Sequence, residues 1–209
     1  MINNESMDTE IKNHWETVYT NKKPNEVSWT QEIPKTSLGF IKGFNLPKTA
    51  SIIDIGGGDS SLVDFMLADG YTDITVLDIS AASLERAKIR LGENSSKVTW
   101  IVSDITEFKP ERKYQVWHDR ATFHFLTSND QIQEYLKIAN TAVNGFLAIG
   151  TFSENGPTKC SNLNIKQYSE TDLRSVFIAG FSKLKCVNED HRTPFDTIQN
   201  FTFCSFKKI

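Results

Sequence analysis

The sequence predicts an α/β fold in which helices cover both faces of one open sheet of seven mostly parallel strands. Short β-branched runs alternate with segments of helical periodicity along most of the chain. Because parallel strands need crossover connections, this alternation favours a parallel sheet. The chain has 209 residues, of which 39% are hydrophobic, which is enough for one full core. Two late strands are expected to pair as a hairpin, so that the last strand runs antiparallel.

Three strands are predicted in the first half of the chain. The run SIIDIGG at 51–57 is the first strand, and the helix after it ends at Gly70. The second strand covers 73–80, and the next helix begins at Ser80 or Ser83 and ends at Gly92. The third strand lies in KVTWIVSDI, 97–105.

The second half completes the sheet. A fourth strand at 113–121 precedes a helix at 129–143 whose apolar residues repeat at helical spacing, and a fifth strand covers 146–152. A long loop at 153–169 and a helix at 169–181 then lead to the hairpin strands at 182–192 and 198–208. A loop of this length is typical of function or disorder, and we expect it to face the substrate.

Charge and composition exclude several classes of partner. The formal net charge is −3, which disfavours binding to nucleic acid or to an anionic membrane, because both need a basic face. No apolar run approaches the roughly 18 residues of a membrane-spanning helix. The three cysteines and four histidines have no metal-ligand spacing, so no metal site is predicted. The cysteines also suggest no disulfide framework, which favours a reducing cytoplasm.

The turn after the first strand reads Asp54-Ile-Gly56-Gly-Gly58. It fails the dinucleotide fingerprint, because Ser61 stands where the third glycine should be, and it lacks the Gly-Lys pair of a P-loop. A carboxylate at this position would repel a pyrophosphate, whereas it suits a ligand with an ammonium group. The adjacent Asp59 either contacts that ammonium or caps the next helix.

Acidic residues also follow the next two strands. Asp78 stands 24 positions after Asp54, an offset at which an acidic side chain can accept both hydroxyls of a ribose. Asp104 follows the third strand and can accept a hydrogen bond from an exocyclic amine. Asp78 as a helix cap and Asp104 as an ordinary turn residue are the alternatives.

These residues resemble those of the class I S-adenosylmethionine-dependent methyltransferases, over roughly residues 50–209. The resemblance implies a Rossmann-like domain at 49–209 and an N-terminal cap or lid at 1–48. It also implies S-adenosyl-L-methionine as cofactor and S-adenosyl-L-homocysteine as product. Asp54, Gly56 and Gly58 would then hold the methionine portion. The ribose would lie at Asp78 and Ile79, and the adenine at Asp104 and Ile105.

The fourth strand ends in VWHDRATFHFL, where the methyl group should lie. The Asp119-Arg120 pair is similar to a motif of the thiopurine, halide/thiol and tellurite-resistance methyltransferases. We predict Asp119, Arg120 and His124 as catalytic, with His124 the candidate base, and His118 as cofactor-binding. Arg120 as an ion-pair partner of Asp119, and both histidines as structural residues, are the alternatives. Over HDRATFHFL and GPTKCSNL, the chain is most similar to small bacterial class I enzymes of undefined substrate.

The N-terminal segment contains Trp15, Tyr19 and Trp29 in a polar setting. A similar stretch in the same families folds over the cofactor as a lid, so these aromatic residues are predicted to cover the sulfonium; core packing is the alternative. The predicted activity is methyl transfer to a small-molecule acceptor by in-line displacement, with a soft nucleophile or an anion favoured. A protein methyltransferase acting on lysine or a carboxylate, and a non-catalytic binding protein, remain alternatives. We expect a monomer or a homodimer.

Overall fold

The computed structural model describes residues 4–209, with side chains from residue 9 onward. In this range the helices are α1 (Asn4–Asn21), α2 (Lys35–Gly43), α3 (Leu62–Ala68), α4 (Ala81–Leu91), α5 (Asn129–Ala142) and α6 (Glu170–Phe177). The strands are β1 (Ser51–Ile55), β2 (Asp73–Asp78), β3 (Val98–Val102), β4 (Tyr114–Arg120), β5 (Val143–Phe152), β6 (Lys159–Cys160), β7 (Leu163–Asn164), β8 (Phe181–Arg192) and β9 (Ile198–Lys208).

Seven strands form one sheet in the order β3-β2-β1-β4-β5-β9-β8. The pairs β1–β2, β1–β4, β2–β3 and β4–β5 are parallel, whereas β9 is antiparallel to both β5 and β8. This confirms the predicted fold class. The remaining strands, β6 and β7, form a two-residue ladder inside the segment predicted as an unstructured loop.

The two faces of the sheet have separate cores, as the alternation of side chains along a strand requires. Ile53 and Ile55 of β1 are buried in a cluster with residues of α5 and α6. Ile52 of the same strand is buried in the opposite cluster with residues of α2, α3 and α4. Every residue of β1 is buried, as expected for a central parallel strand.

Serine caps define where three helices begin. The hydroxyl of Ser80 accepts a hydrogen bond from the Ser83 backbone N–H, which settles the open choice between these two residues as the cap of α4. Ser128 and Ser169 cap α5 and α6 in the same way, each within a reciprocal capping box.

The fifth strand begins three residues before its predicted start, at Val143. The sequence suggested a break at Asn144-Gly145, but Gly145 lies inside the strand beside a register shift between Tyr114 and Val116. A Cβ on Gly145 would lie 2.3 Å from the Gln115 carbonyl oxygen. The glycine therefore allows a close strand contact and does not end an element.

The cysteine prediction is wrong. Cys186 and Cys204 face each other across β8 and β9 and form a disulfide, and Cys160 is free and buried. Three scattered cysteines do not reveal such a pair, because strand register brings together residues that are far apart in sequence. The expectation of a reducing compartment loses its support from the cysteines. Within residues 4–209, no helix has the length and apolar character needed to cross a membrane.

Candidate functional site

The carboxyl ends of β1, β2, β3 and β4 meet at one edge of the sheet. The chain order reverses between β1 and β4, which is where open α/β sheets bind their ligands. A cavity of about 520 Å³ opens at this point. The predicted residues that line it are Trp15, Tyr19, Trp29, Asp54, Gly56, Asp59, Asp78, Ile79, Asp104, Ile105, His118 and Arg120.

Asp54 is held in place by a buried relay. The Asp54 carboxylate and His118 Nδ1 are 2.6 Å apart, and His118 Nε2 is 2.8 Å from the Ser37 hydroxyl. Because a carboxylate only accepts, His118 Nδ1–H donates to Asp54, and Nε2 shares a hydrogen bond with the Ser37 hydroxyl. His118 was predicted to bind cofactor; it lines the cavity, but both its nitrogens are used in orienting Asp54.

The glycines of the first turn are required by neighbouring protein atoms. Gly56 has φ +62°, and a Cβ there would lie 1.8 Å from the Thr122 side-chain oxygen. Gly58 has φ +42°, and its Cβ would lie 2.7 Å from an Asp78 carboxylate oxygen. Gly58 is not among the residues that line the cavity, so its predicted contact with the methionine portion is revised to packing behind Asp78.

Asp78 is a buried carboxylate at the end of β2. Its Oδ1 accepts a hydrogen bond from the Ser80 backbone N–H at 2.8 Å. Burial raises the pKa of Asp78 to about 7, against the opposing effect of that hydrogen bond. Tyr19 lies close to Asp78, and burial together with this carboxylate raises the pKa of the Tyr19 phenol well above its ordinary value.

Asp104 and Asp59 have different partners. One oxygen of Asp104 accepts from both the backbone N–H and the hydroxyl of Thr106, each at 2.7 Å. Its other oxygen makes no hydrogen bond within the described part of the chain, which leaves it available to a ligand. Asp59 was expected either to contact an ammonium or to cap a helix. It forms ion pairs with Arg86 and Arg90 and also lines the cavity. Ser61 stands at the N-cap position of α3, so Asp59 is not its cap, and the contact with an ammonium stays a prediction.

Four aromatic side chains close one side of the cavity. They are Trp15, Tyr19, Trp29 and Phe125, hereafter the aromatic wall. The Trp15 ring contacts the other three, with centroids 5.1 Å from Phe125, 5.7 Å from Trp29 and 6.1 Å from Tyr19. All four line the cavity. Sequence reasoning missed Phe125, although it lies one residue after the His124 that it singled out.

Helix α1 is fixed over the cavity by Glu16, a second residue that was missed. Its carboxylate accepts from the backbone N–H groups of Ala81 and Ala82, at 2.7 and 3.0 Å, and from the Ser80 hydroxyl at 3.0 Å. These donors are the free N–H groups at the start of α4. Burial alone would raise the pKa of Glu16, but these hydrogen bonds outweigh it and the pKa is lowered. The sequence feature that could have indicated this role is the position of Glu16 beside Trp15 and Tyr19, the aromatic residues predicted to cover the cofactor.

Two predicted catalytic residues lie outside the cavity lining. Asp119 is fully buried and accepts from the backbone N–H groups of Thr122 and Phe123 and from the Tyr135 hydroxyl. His124 is also fully buried; its Nδ1 accepts from the Phe152 backbone N–H, and burial, with the nearby Arg120 charge, lowers its pKa to about 3. Neither can contact a substrate in this arrangement, so both predictions are corrected to structural roles that shape the turn after β4.

Known methyltransferases share this fold. The crystal structure of Burkholderia thailandensis 1,6-didemethyltoxoflavin-N1-methyltransferase with bound 1,6-didemethyltoxoflavin and S-adenosylhomocysteine is similar with a TM-score of 0.73 and 15% sequence identity. The match covers 100% of this chain and 91% of that one. A family model described as a methyltransferase domain matches residues 52–144. Residues 52–144 therefore match a methyltransferase domain, within a fold that the chain shares with S-adenosylmethionine-dependent methyltransferases.

The curated relatives of this chain include malonyl-[acyl-carrier protein] O-methyltransferases. That of Anoxybacillus flavithermus is 34% identical over 107 residues, which are 50% of this chain and 39% of the relative. That of Priestia megaterium is 28% identical over 159 residues, which are 74% of this chain and 56% of the relative. The chain therefore spans about half or less of the length of these relatives. The narrower resemblance to thiopurine, halide/thiol and tellurite-resistance enzymes stays a prediction.

Proposed function

We propose that this protein transfers the methyl group of S-adenosyl-L-methionine to a small-molecule acceptor and releases S-adenosyl-L-homocysteine. The meeting of Asp54, Asp78 and Asp104 at one cavity carries the proposal. Three carboxylates on adjacent strand ends disfavour a pyrophosphate. They suit a ligand that presents an ammonium, ribose hydroxyls and an aromatic amine.

The cavity fits such a donor in its polar groups and in its walls. Asp54 would accept from the ammonium, with its position fixed by His118. Asp78 would accept from the ribose hydroxyls, and the free oxygen of Asp104 from the adenine amine. The donor supplies a methyl group activated by a positively charged sulfur, and the faces of Trp15 and Trp29 suit that charge.

The chain itself contributes positioning and exclusion of water. The aromatic wall covers the cavity, and Glu16 fixes α1 in the covering position. Holding two reactants at about 3–3.5 Å can supply roughly 7–11 kcal/mol of a barrier. Methyl transfer needs no covalent intermediate on the protein. This agrees with Cys160, the thiol on the cavity wall, whose burial raises its pKa to about 12.

Three candidate functions differ in whether a methyl group is transferred and in which molecule accepts it. A free small molecule is favoured by the cavity of about 520 Å³ with its aromatic wall. The names of the curated relatives favour an acceptor group carried on a protein. A non-catalytic binding protein would bind the donor without transferring its methyl group. Incubation with methyl-tritiated donor and separate thiol, halide, carboxylate, amine and protein pools tells them apart, and label on protein alone would overturn the small-molecule acceptor.

Replacing Asp78 with alanine tests the donor site. Calorimetry should show S-adenosylmethionine affinity reduced at least tenfold, about 1.4 kcal/mol, because the ribose hydroxyls lose their acceptor. Asp130→Ala, which changes an exposed aspartate in the first turn of α5, serves as control and should keep wild-type affinity. Unchanged affinity in Asp78→Ala would remove the ribose assignment.

A further inference from the structure

The loop that joins α1 to α2, residues 22–34 and hereafter the covering loop, forms one side of the cavity. Six of its residues line the cavity: Pro24, Val27, Trp29, Thr30, Gln31 and Pro34. Apart from a single 3-10 turn at Pro24–Glu26, this loop contains neither helix nor strand. Its order over the cavity therefore depends on contacts with other parts of the chain, because fixing a loop backbone costs conformational entropy.

Two side chains of the β8–β9 hairpin bind Ser28 of the covering loop. His191 Nε2 donates to the Ser28 carbonyl at 2.8 Å, and Gln199 Nε2 donates to the Ser28 hydroxyl at 3.1 Å. His191 and Gln199 are opposite each other in the register of β8 and β9, so their side chains lie on the same face of the sheet. Both residues are buried, which makes these hydrogen bonds costly to leave unmade.

Two further side chains bind the residues that follow Ser28. Arg120, which was predicted as catalytic, donates from Nη1 to the Trp29 carbonyl at 2.9 Å. Glu189 of β8 accepts from Gln31 Nε2 at 3.1 Å. Arg120 remains protonated at neutral pH, because its pKa is about 10 even after burial has lowered it, and its charge is attracted to that of Glu189. Three of four consecutive loop residues are thus bound by side chains of β4, β8 and β9.

The hairpin reaches the covering loop from the far end of the sheet. β8 is the edge strand opposite β3, whereas the carboxylates proposed to bind the donor lie at the carboxyl ends of β1, β2 and β3. Glu189, His191 and Gln199, hereafter the hairpin triplet, are not among the residues that line the cavity. They can therefore act on a bound ligand only through the covering loop, whose contribution to the aromatic wall is Trp29.

We infer that the hairpin triplet is a set of positioning residues that holds Trp29 over the proposed methyl-transfer site. This inference rests on the proposed methyl transfer. His191 and Gln199 bind the backbone and the side chain of Ser28, which directly precedes Trp29. With these hydrogen bonds in place, the aromatic wall stays closed over the donor and excludes water from the site.

Single replacements in the hairpin triplet test this role and leave the cavity lining unchanged. His191→Ala and Gln199→Met each remove one donor to Ser28, and methionine keeps the length of the glutamine side chain. We expect amide hydrogen exchange in residues 27–31 to accelerate in both variants. Bound S-adenosyl-L-homocysteine should dissociate about fivefold faster, as the loss of one typical hydrogen bond implies.

His191→Gln separates the hydrogen bond from packing. The glutamine amide places an N–H donor near the position of His191 Nε2, so the dissociation rate should return close to that of wild type. Both His191 variants lose the ring contact with Phe201, so the unfolding temperature should fall in both. Equally fast dissociation in His191→Gln and His191→Ala would show that His191 acts by packing, and would overturn its positioning role.

Arg192→Gln is the matched control, because Arg192 is exposed on β8 and pairs with Asp196 within the hairpin. It should change neither hydrogen exchange nor dissociation. Wild-type rates in both His191→Ala and Gln199→Met would overturn the inference while leaving methyl transfer standing. Failure of the wild-type protein to bind S-adenosyl-L-homocysteine in calorimetry would instead overturn the proposed function, and the positioning role with it.

Discussion

At the scale of single residues, Asp78 shows how a binding carboxylate can weaken the fold that contains it. Burial raises its pKa to about 7, so the folded protein holds the proton that an exposed aspartate would already have lost. The direction of the pH dependence of stability follows from the linkage between proton binding and folding. The contribution of Asp78 to stability is fully present below the ordinary aspartate pKa and is lost as the pH rises to about 7.

Asp78→Asn should therefore stabilise the protein increasingly as the pH rises. Its unfolding temperature should exceed that of wild type by several degrees at pH 8 and by much less at pH 4.5, since each kcal/mol corresponds to about 2–4 °C in a chain of this size. Thermal unfolding followed by circular dichroism at both pH values measures this. A constant difference between pH 4.5 and 8 would show that Asp78 does not titrate in this range.

Asp69→Asn is the matched control of opposite sign. A hydrogen bond from Lys48 lowers the pKa of this exposed carboxyl. Replacing the Asp69 carboxylate with an amide should therefore not stabilise the protein as the pH rises.

Sequence reasoning at this scale succeeded for residues whose chemistry follows directly after a strand. Asp54, Asp78 and Asp104 lie at the carboxyl ends of neighbouring strands, and the structure brings them to one cavity. It failed for Asp119, which lies at the carboxyl end of β4, and for His124, which follows that strand. Whether a side chain at such a position faces the cavity or packs beneath the turn depends on tertiary partners such as Tyr135, which sequence spacing does not show.

At the scale of elements, a carboxylate on the side of α1 binds the N-terminus of α4. Glu16 occupies the start of α4, where free N–H groups and the helix dipole favour a negative charge. Ser80 is the local cap of the same helix, so α4 has a cap from its own sequence and a second one from α1. The second cap orders α1 over the cavity, which is the position that the sequence predicted for a lid.

Glu16→Ala should release α1 without unfolding the domain. We expect a stability loss of about 0.5–2 kcal/mol, the usual range for a lost cap. Amide hydrogen exchange in residues 9–21 should accelerate, and S-adenosylmethionine should dissociate faster.

Glu10→Ala, an exposed position on the same helix, should change neither rate. Equal exchange in Glu16→Ala and wild type would contradict a fastening role for Glu16.

The elements themselves were largely predictable, because their caps and apolar periods are local properties. Ser128 and Ser169 mark helix starts with side chains that lie within three residues of their partners. The ladder of β6 and β7 was not predictable. Two-residue strands have too few side chains to create a pattern, and only tertiary packing around Cys160 and Leu163 defines them.

At the scale of the whole molecule, the hairpin of β8 and β9 closes one edge of the sheet and carries the disulfide between Cys186 and Cys204. The prediction of a mostly parallel sheet with an antiparallel last strand succeeded because strands that alternate with helices are joined by crossover connections. The disulfide was missed because it depends on the register of two antiparallel strands. A shift of one residue would turn the two cysteines to opposite faces.

Thiol counting tests the disulfide. The sequence contains three cysteines, so protein purified without reductant and then denatured should show one reactive thiol, that of Cys160. After reduction it should show three. Three thiols before reduction would mean that Cys186 and Cys204 face each other without a bond. As a control, Cys160→Ser should lower the thiol count by one both before and after reduction.

The hydrogen bond from Arg120 to the Trp29 carbonyl joins the end of β4 to the aromatic wall, on opposite sides of the proposed methyl-transfer site. The first ligand to bind orders this contact, so the second ligand binds without the same ordering cost. The two ligands should therefore bind with positive cooperativity. Reciprocity then requires that the donor tighten acceptor binding by the same factor as the acceptor tightens donor binding. Titration of each ligand in the presence and absence of the other would measure this factor, and a smaller factor in Arg120→Gln would identify the hydrogen bond between Arg120 and Trp29 as part of the link.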